Sequence, residues 1–168
     1  GKFGGGRIPY GYAWNPDEGW VIDGDQASII RQIFNAYVSS GGSLRSIVRK
    51  LNQDGIRTPR NGQYWRDSAV RSLIRQPIYI GVYYGLRGKP NPQPQYTSLE
   101  EFMTIARERE WIEVPGIPPI LVADDGLPDV PLWEAAQQKR LTNRHGGTGY
   151  RTLNWPLQGR LKCPQCGR

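Results

Sequence analysis

Two cysteines and one histidine in 168 residues leave little material for metal or acid–base chemistry. Tetrahedral zinc wants four ligands, so Cys163, Cys166 and the distant His145 do not complete a structural site by themselves. No apolar run approaches the roughly 18 residues that a membrane span needs. No secretory leader opens the chain, and no internal repeat runs through it. Hydrophobic residues are only 38%, which predicts a thin core, but charged residues at 22% do not give the profile of a disordered chain. Six tryptophans and nine tyrosines compensate with large apolar area per residue.

Positive charge is plentiful. The formal net charge is +7 and the pI is near 9.6, a balance that favours a polyanionic partner. Its placement narrows the choice. Basic residues crowd into Arg45–Arg75, whereas Glu100, Glu101, Glu108, Glu110, Glu113, Asp124, Asp125 and Asp129 come later. The polyanion site is therefore expected in the first half, with nucleic acid rather than a membrane as the partner.

Residues 1–20 form a glycine-rich, aromatic lead. Trp14 and Trp20 flank Asn15-Pro16-Asp17-Glu18-Gly19, which predicts a short hairpin. Ile29, Ile30, Ile33, Phe34 and Tyr37 lie at helical spacing, so a first helix is expected from about Gln26 to Tyr37 with Asp25 as N-cap. Ser43 should cap a second helix, Leu44 to Gln53, whose stripe is Leu44, Ile47, Val48 and Leu51. A third helix is predicted from about Asp67 to Arg75, closed by Pro77. Between them Asn61-Gly62 signals a hairpin. Tyr79–Leu86 reads as a strand, and three prolines in residues 87–96 predict an extended linker. Ser98 to Glu101 fits a capping box that opens a further helix. Trp111–Val114 and Ile120–Val122 are strand candidates, Pro131–Leu141 a last helix, and His145–Gly149 a loop.

Three short helices, the last two joined by a turn, describe a helix-turn-helix core that binds double-stranded DNA. The third helix would present its N-terminal half to the major groove. Arg66, Ser68 and Arg71 stand there, with Arg75 on the same outward face and Arg45 on the second helix. Arginine suits this task because its planar fork can bond guanine O6 and N7 together. The long turn carries Arg57, Thr58, Arg60, Asn61, Gln63 and Tyr64 and would act as a wing against the DNA backbone; a solvated loop is the plainer alternative. Lys2 and Arg7 ride on an N-terminal arm suited to a narrow minor groove, or to a mere tail.

Other features suggest chemistry more weakly. Cys163-Pro164-Gln165-Cys166 has the spacing of half a zinc site, and no βαβ context supports a redox role. Asp124, Asp125 and Asp129 fit a solvated turn better than a magnesium site. Tyr150 with Arg144, His145 and Arg151 lacks the rigid setting a nucleophile needs. The tryptophans read as core, with Trp65 beside the wing as the possible exception. No catalytic residue is assigned.

GKFGGGRIPYGY at the start, the helix Ile29–Tyr37, SLRSIVRKLNQDGIRTPRNGQYW, RQPIYIGVY, EWIEVPGIPPILVADD and LQGRLKCPQCG occur in this order along nearly the whole chain. Together they resemble the recombinase domain of the large serine recombinases, a family of phage integrases and large transposon resolvases. The resemblance implies a bacterial or phage-encoded, cytoplasmic protein. Its separate N-terminal domain would use a serine to attack the DNA phosphodiester; nothing here supplies that serine or its arginine cluster. The parent would be a dimer on each attachment site and a tetramer in synapsis. Gly1 and Arg168 then read as ends cut from a longer protein. A second cysteine pair downstream would complete a Zn²⁺ site with Cys163 and Cys166; no cofactor is expected in this chain alone.

The expected fold is α+β and mainly helical, a helix-turn-helix core with a hairpin wing plus a smaller mixed α/β C-terminal part. The boundaries are 1–86 for the core with its arm, 87–98 for the linker, 99–158 for the mixed remainder and 159–168 for the start of a zinc ribbon. The expected function is attachment-site recognition; a helix-turn-helix transcriptional regulator is the alternative.

Overall fold

The computed structural model describes residues 8–85 and 95–146. The fold is α+β. A hairpin of β1 (Tyr12–Asn15) and β2 (Gly19–Ile22) precedes three helices, α1 (Gly24–Val38), α2 (Leu44–Gln53) and α3 (Asp67–Ile74). A 3-10 turn, Pro77–Ile80, leads to β3 (Tyr84–Gly85). Then come α4 (Leu99–Glu108), β4 (Ile112–Glu113) and α5 (Val130–Gly146). Both sheets are two-stranded and antiparallel: Trp14 pairs with Trp20, and Tyr84 with Glu113. No helix among the described residues is long and apolar enough to cross a membrane.

The hairpin around Asn15 forms as the sequence predicts, with the Asn15 side chain accepting from Asp17 N at 2.9 Å. Helix α2 also matches. Ser43 accepts from Ser46 N, and Ser46 returns a bond to the Ser43 backbone, so two orphan donors of the first turn are satisfied together. Helix α1 starts earlier than expected. Its cap is Asp23, not Asp25, because the Asp23 carboxylate accepts from both Gln26 N and Gln26 Nε2. In α4, Ser98 accepts from Glu101 N. The Glu101 carboxylate accepts from Thr97 N and Oγ1, which holds it below the usual carboxylate range.

Three expected strands change character. Tyr79–Leu86 is not a continuous strand: Pro77 starts the 3-10 turn and Gly81, at φ +82°, ends it, leaving two residues in β3 before Leu86 passes outside the described residues. Trp111–Val114 shrinks to β4, and Ile120–Val122 contributes a single bridge, Val122 to Pro128. Helix α5 runs longer than Pro131–Leu141, so His145 and Gly146 lie in helix rather than loop. The acidic residues before it are structural: Asp129 Oδ1 accepts from Leu132 N and Asp125 Oδ1 from Leu127 N.

One buried cluster runs from Tyr12 through α1, α2 and α3 to Phe102, Ile120 and Trp133. Side chains from the second half hold the C-terminus of α3. Gln137, fully buried, donates to the Ile74 carbonyl at 2.7 Å, Tyr96 OH to Arg75 O at 2.7 Å, and Trp133 Nε1 to Gln76 O at 3.1 Å. The first two are carbonyls that a helix end leaves without intrahelical partners, and the third is that of the residue that opens the 3-10 turn. Near the other end of the core Gly11 sits at φ +98°, where a Cβ would stand 2.6 Å from Ile120 Cδ1. That φ favours glycine, and any side chain would also have to displace the Ile120 methyl end.

Candidate nucleic-acid interface

The segment joining α2 to α3 is a braced loop. Its tip closes through Thr58 N to Gly62 O at 3.0 Å, Asn61 N to Thr58 O at 2.8 Å and Gly62 N to Thr58 Oγ1 at 2.8 Å. Asn61 takes φ +58°, the left-handed conformation that asparagine tolerates. No strand pairing flanks Asn61-Gly62, so the expected hairpin is instead a tight turn. The base of the loop is pinned by Asn52 at the end of α2. Its Oδ1 accepts from Trp65 N at 2.7 Å and its Nδ2 donates to Trp65 O at 3.2 Å. Trp65 Nε1 donates to Ile56 O at 2.8 Å.

Trp65 is therefore a core residue, 2% exposed, and not a surface stacking platform. Tyr10 packs its ring edge-on at 5.8 Å from that of Trp65. The start of the described chain and the loop meet at this indole, and the end of α2 holds the backbone of the same residue. Burial beside Asp23 pushes the Tyr10 phenol up to about 12.

Around this node the cationic side chains face solvent. Arg45, Arg57, Arg60 and Arg66 are exposed, as are Asn61 and Gln63 of the loop and Ser68 and Arg71 of α3. Arg57 also reaches back to Asn61 O at 3.5 Å. Thr58 is half-buried with its hydroxyl engaged in the turn. Arg75 is half-buried against Tyr96, whose phenol its charge favours ionising while burial, the larger influence, opposes it. Lys2, Arg7, Cys163 and Cys166 lie outside the described residues, as does the linker from 87 to 94.

Other cations are tied into the fold. Arg31 Nε donates to Ile120 O, Lys139 Nζ to Ser39 O, and Arg140 to Gln137 and Tyr96. Lys50 pairs with Asp54 at 3.3 Å on the exposed face of α2. Among the described residues, exposed arginines cluster on α2, the loop and α3, while Arg31, Arg107 and Arg109 are exposed elsewhere.

The outer face of α3 borders a cleft of about 710 Å³. Ser68, Arg71, Ser72 and Arg75 form one wall, and Tyr83, Tyr84, Phe102 and Trp111 stand among the lining residues opposite in sequence. The cleft runs along α3 from its first residues, Asp67 and Ser68, past Arg71 and Ser72 to Arg75. One position escaped sequence reasoning. Asn52 looks like any polar residue on a helix, and its bonds to Trp65 leave no local pattern. Tyr64, read from the sequence as part of the loop, is 75% exposed.

A family model described as Recombinase matches residues 24–143. The chain is also similar to a Bacillus subtilis (strain 168) protein named "Putative DNA recombinase", 26% identical over 167 residues. That alignment covers 94% of this chain and 31% of the relative, so the chain spans about a third of the relative's length.

Proposed function

The chain belongs to the Recombinase family, and on that premise we propose that it is the DNA-recognition part of a large serine recombinase. Helices α2 and α3 act as a helix-turn-helix, with α2 as the buttress and α3 in the major groove. Arg66, Ser68 and Arg71 reach base edges and nearby phosphates. Arg45, Arg57, Arg60, Asn61 and Gln63 contact the backbone, the loop serving as a wing, and Lys2 and Arg7 enter the adjoining minor groove. Arg75, half-buried against Tyr96, joins Ser68 and Arg71 at the C-terminal end of the same helix face.

The convergence at Trp65 carries this reading. One buried residue, Trp65, fixes the described start of the chain through Tyr10, the end of α2 through Asn52 and the loop through Ile56, with exposed Arg57, Arg60 and Arg66 alongside. A duplex groove and its flanking phosphates need such a rigid, multi-element cationic surface, since phosphate contacts position the protein and base contacts specify the site.

Strand exchange belongs to a separate serine domain that cuts and rejoins the DNA. The whole protein acts on attachment sites in the cytoplasm of a bacterium, as a dimer on each site and a tetramer in synapsis. Cys163 and Cys166 supply two thiolates of zinc-ribbon spacing, and a second pair from the parent protein would complete a structural Zn²⁺ site.

The test is a mobility-shift titration of this chain on attachment-site duplex at increasing NaCl. Log affinity should fall steeply and linearly with log salt as phosphate contacts release counterions. A flat response overturns the proposal.

A further inference from the structure

We propose that Tyr64 is a DNA-contacting residue whose hydroxyl donates to a backbone phosphate while its ring lies along the adjoining deoxyribose. The inference rests on the DNA-recognition reading above and adds to it a contact residue without charge.

Tyr64 is 75% exposed, more than any other large apolar or aromatic side chain among the described residues. A single exposed aromatic is ordinary on a protein surface. Here its setting is not. The next residue, Trp65, is 2% exposed and held by Asn52 and Ile56, so the backbone that carries Tyr64 is fixed on its C-terminal side. The loop tip is closed by its own hydrogen bonds six to two residues earlier, from Thr58 to Gly62. Tyr64 is thus an exposed phenol on a braced support.

Its neighbours point to a polyanion. Gln63 and Arg66 flank the Tyr64-Trp65 pair and are exposed, and Arg57 and Arg60 stand in the same loop. Exposed Tyr64 and Arg66 on either side of buried Trp65 follow the alternation of extended chain, and Arg66 itself has extended dihedrals. A tyrosine hydroxyl is a regular donor to phosphate oxygens, and the ring adds apolar contact with the sugar.

A neutral donor has a distinctive signature. Removing an arginine that neutralises a phosphate lowers both affinity and the salt slope, whereas removing a neutral donor lowers affinity alone. The experiment measures Tyr64→Ala, Tyr64→Phe and Arg71→Ala by mobility shift on attachment-site and random-sequence duplex across a salt series, with circular dichroism to confirm unchanged folding. Tyr64→Ala should bind about five- to tenfold more weakly on both duplexes with the wild-type slope, in keeping with loss of one hydrogen bond and its ring contact. Tyr64→Phe should lose part of that. Tyr64→Ala within twofold of wild type, while Arg71→Ala weakens specific binding, overturns the Tyr64 assignment and leaves the interface intact. Wild-type binding by Tyr64→Phe overturns the hydroxyl–phosphate contact, and a loss confined to attachment-site DNA overturns it in favour of a base contact. Absence of salt-dependent DNA binding by the unmodified chain removes the underlying reading itself.

Discussion

Asn52 grips the backbone of Trp65 at both of its polar groups, accepting from the amide at 2.7 Å and donating to the carbonyl at 3.2 Å. A carboxamide used this way replaces the partners that a neighbouring strand would supply. It welds the C-terminus of α2 to the residue before the N-cap of α3. It also sets the base of the loop between them. Helix orientation and loop position are therefore one problem, solved by one side chain.

Asn52→Ala should then cost about 2 kcal/mol, because it leaves the part-buried Trp65 amide and carbonyl without their protein partners. Urea denaturation followed by circular dichroism should show a lower midpoint with little change in slope. DNA affinity should fall on specific and random sequence together, since the loop and α3 lose their shared anchor. A midpoint equal to wild type would mean that water replaces the carboxamide without loss.

Tyr79 presents the opposite case. Its ring stacks on Tyr12 at 6.3 Å and meets Phe34 edge-on at 6.0 Å, and its hydroxyl is buried without a hydrogen-bond partner. Burial pushes this phenol well up from its ordinary range, with Tyr12 and Tyr10 adding to the effect. The backbone of Tyr79 is well used, its carbonyl accepting from Ile120 and Leu121 N at 2.9 and 2.8 Å. Only the hydroxyl is unsatisfied, and a buried polar group in that condition costs free energy. Tyr79→Phe should leave the fold intact and raise stability by up to about 1 kcal/mol. A fall in Tm would show that the hydroxyl has a partner in solution.

The helices show what a sequence exposes and what it hides. Helix α2 is legible because both of its signals are local: Ser43 caps it and Ile47 and Leu51 place its buried stripe. The exposed arginines of α3 and the loop are legible for the same reason. Tyr79–Leu86 misleads because a run of aromatic and β-branched residues suits a strand, yet full burial of Ile78, Tyr79 and Ile80 between α1 and α5 suits a compact 3-10 turn equally well. Trp65 gives no clue from its neighbours, since the same residue type serves both core and surface. Arg75 follows Arg71 at helical spacing, but Tyr96 covers it, and that contact spans the linker. The grip of Tyr96, Trp133 and Gln137 on the end of α3 is likewise made by side chains far along the chain. Side-chain bonds to distant carbonyls have no periodicity to read.

The division of labour between α3 and the loop can be tested with two arginines. Arg71 is exposed on α3 and lines the aromatic cleft, and its planar fork suits a base edge. Arg60 is exposed near the tip of the braced loop, where phosphate is the expected contact. Arg71→Ala should cost about 1–3 kcal/mol on attachment-site DNA and relax sequence preference, with a much smaller loss on random duplex. Arg60→Ala should weaken both by a similar factor and reduce the salt slope by about one. Competition mobility-shift assays over a salt series separate these outcomes. Equal losses on both duplexes for Arg71→Ala would move Arg71 to the phosphate-binding set. A sequence-selective loss for Arg60→Ala would place base readout in the loop, and α3 would then serve as its support.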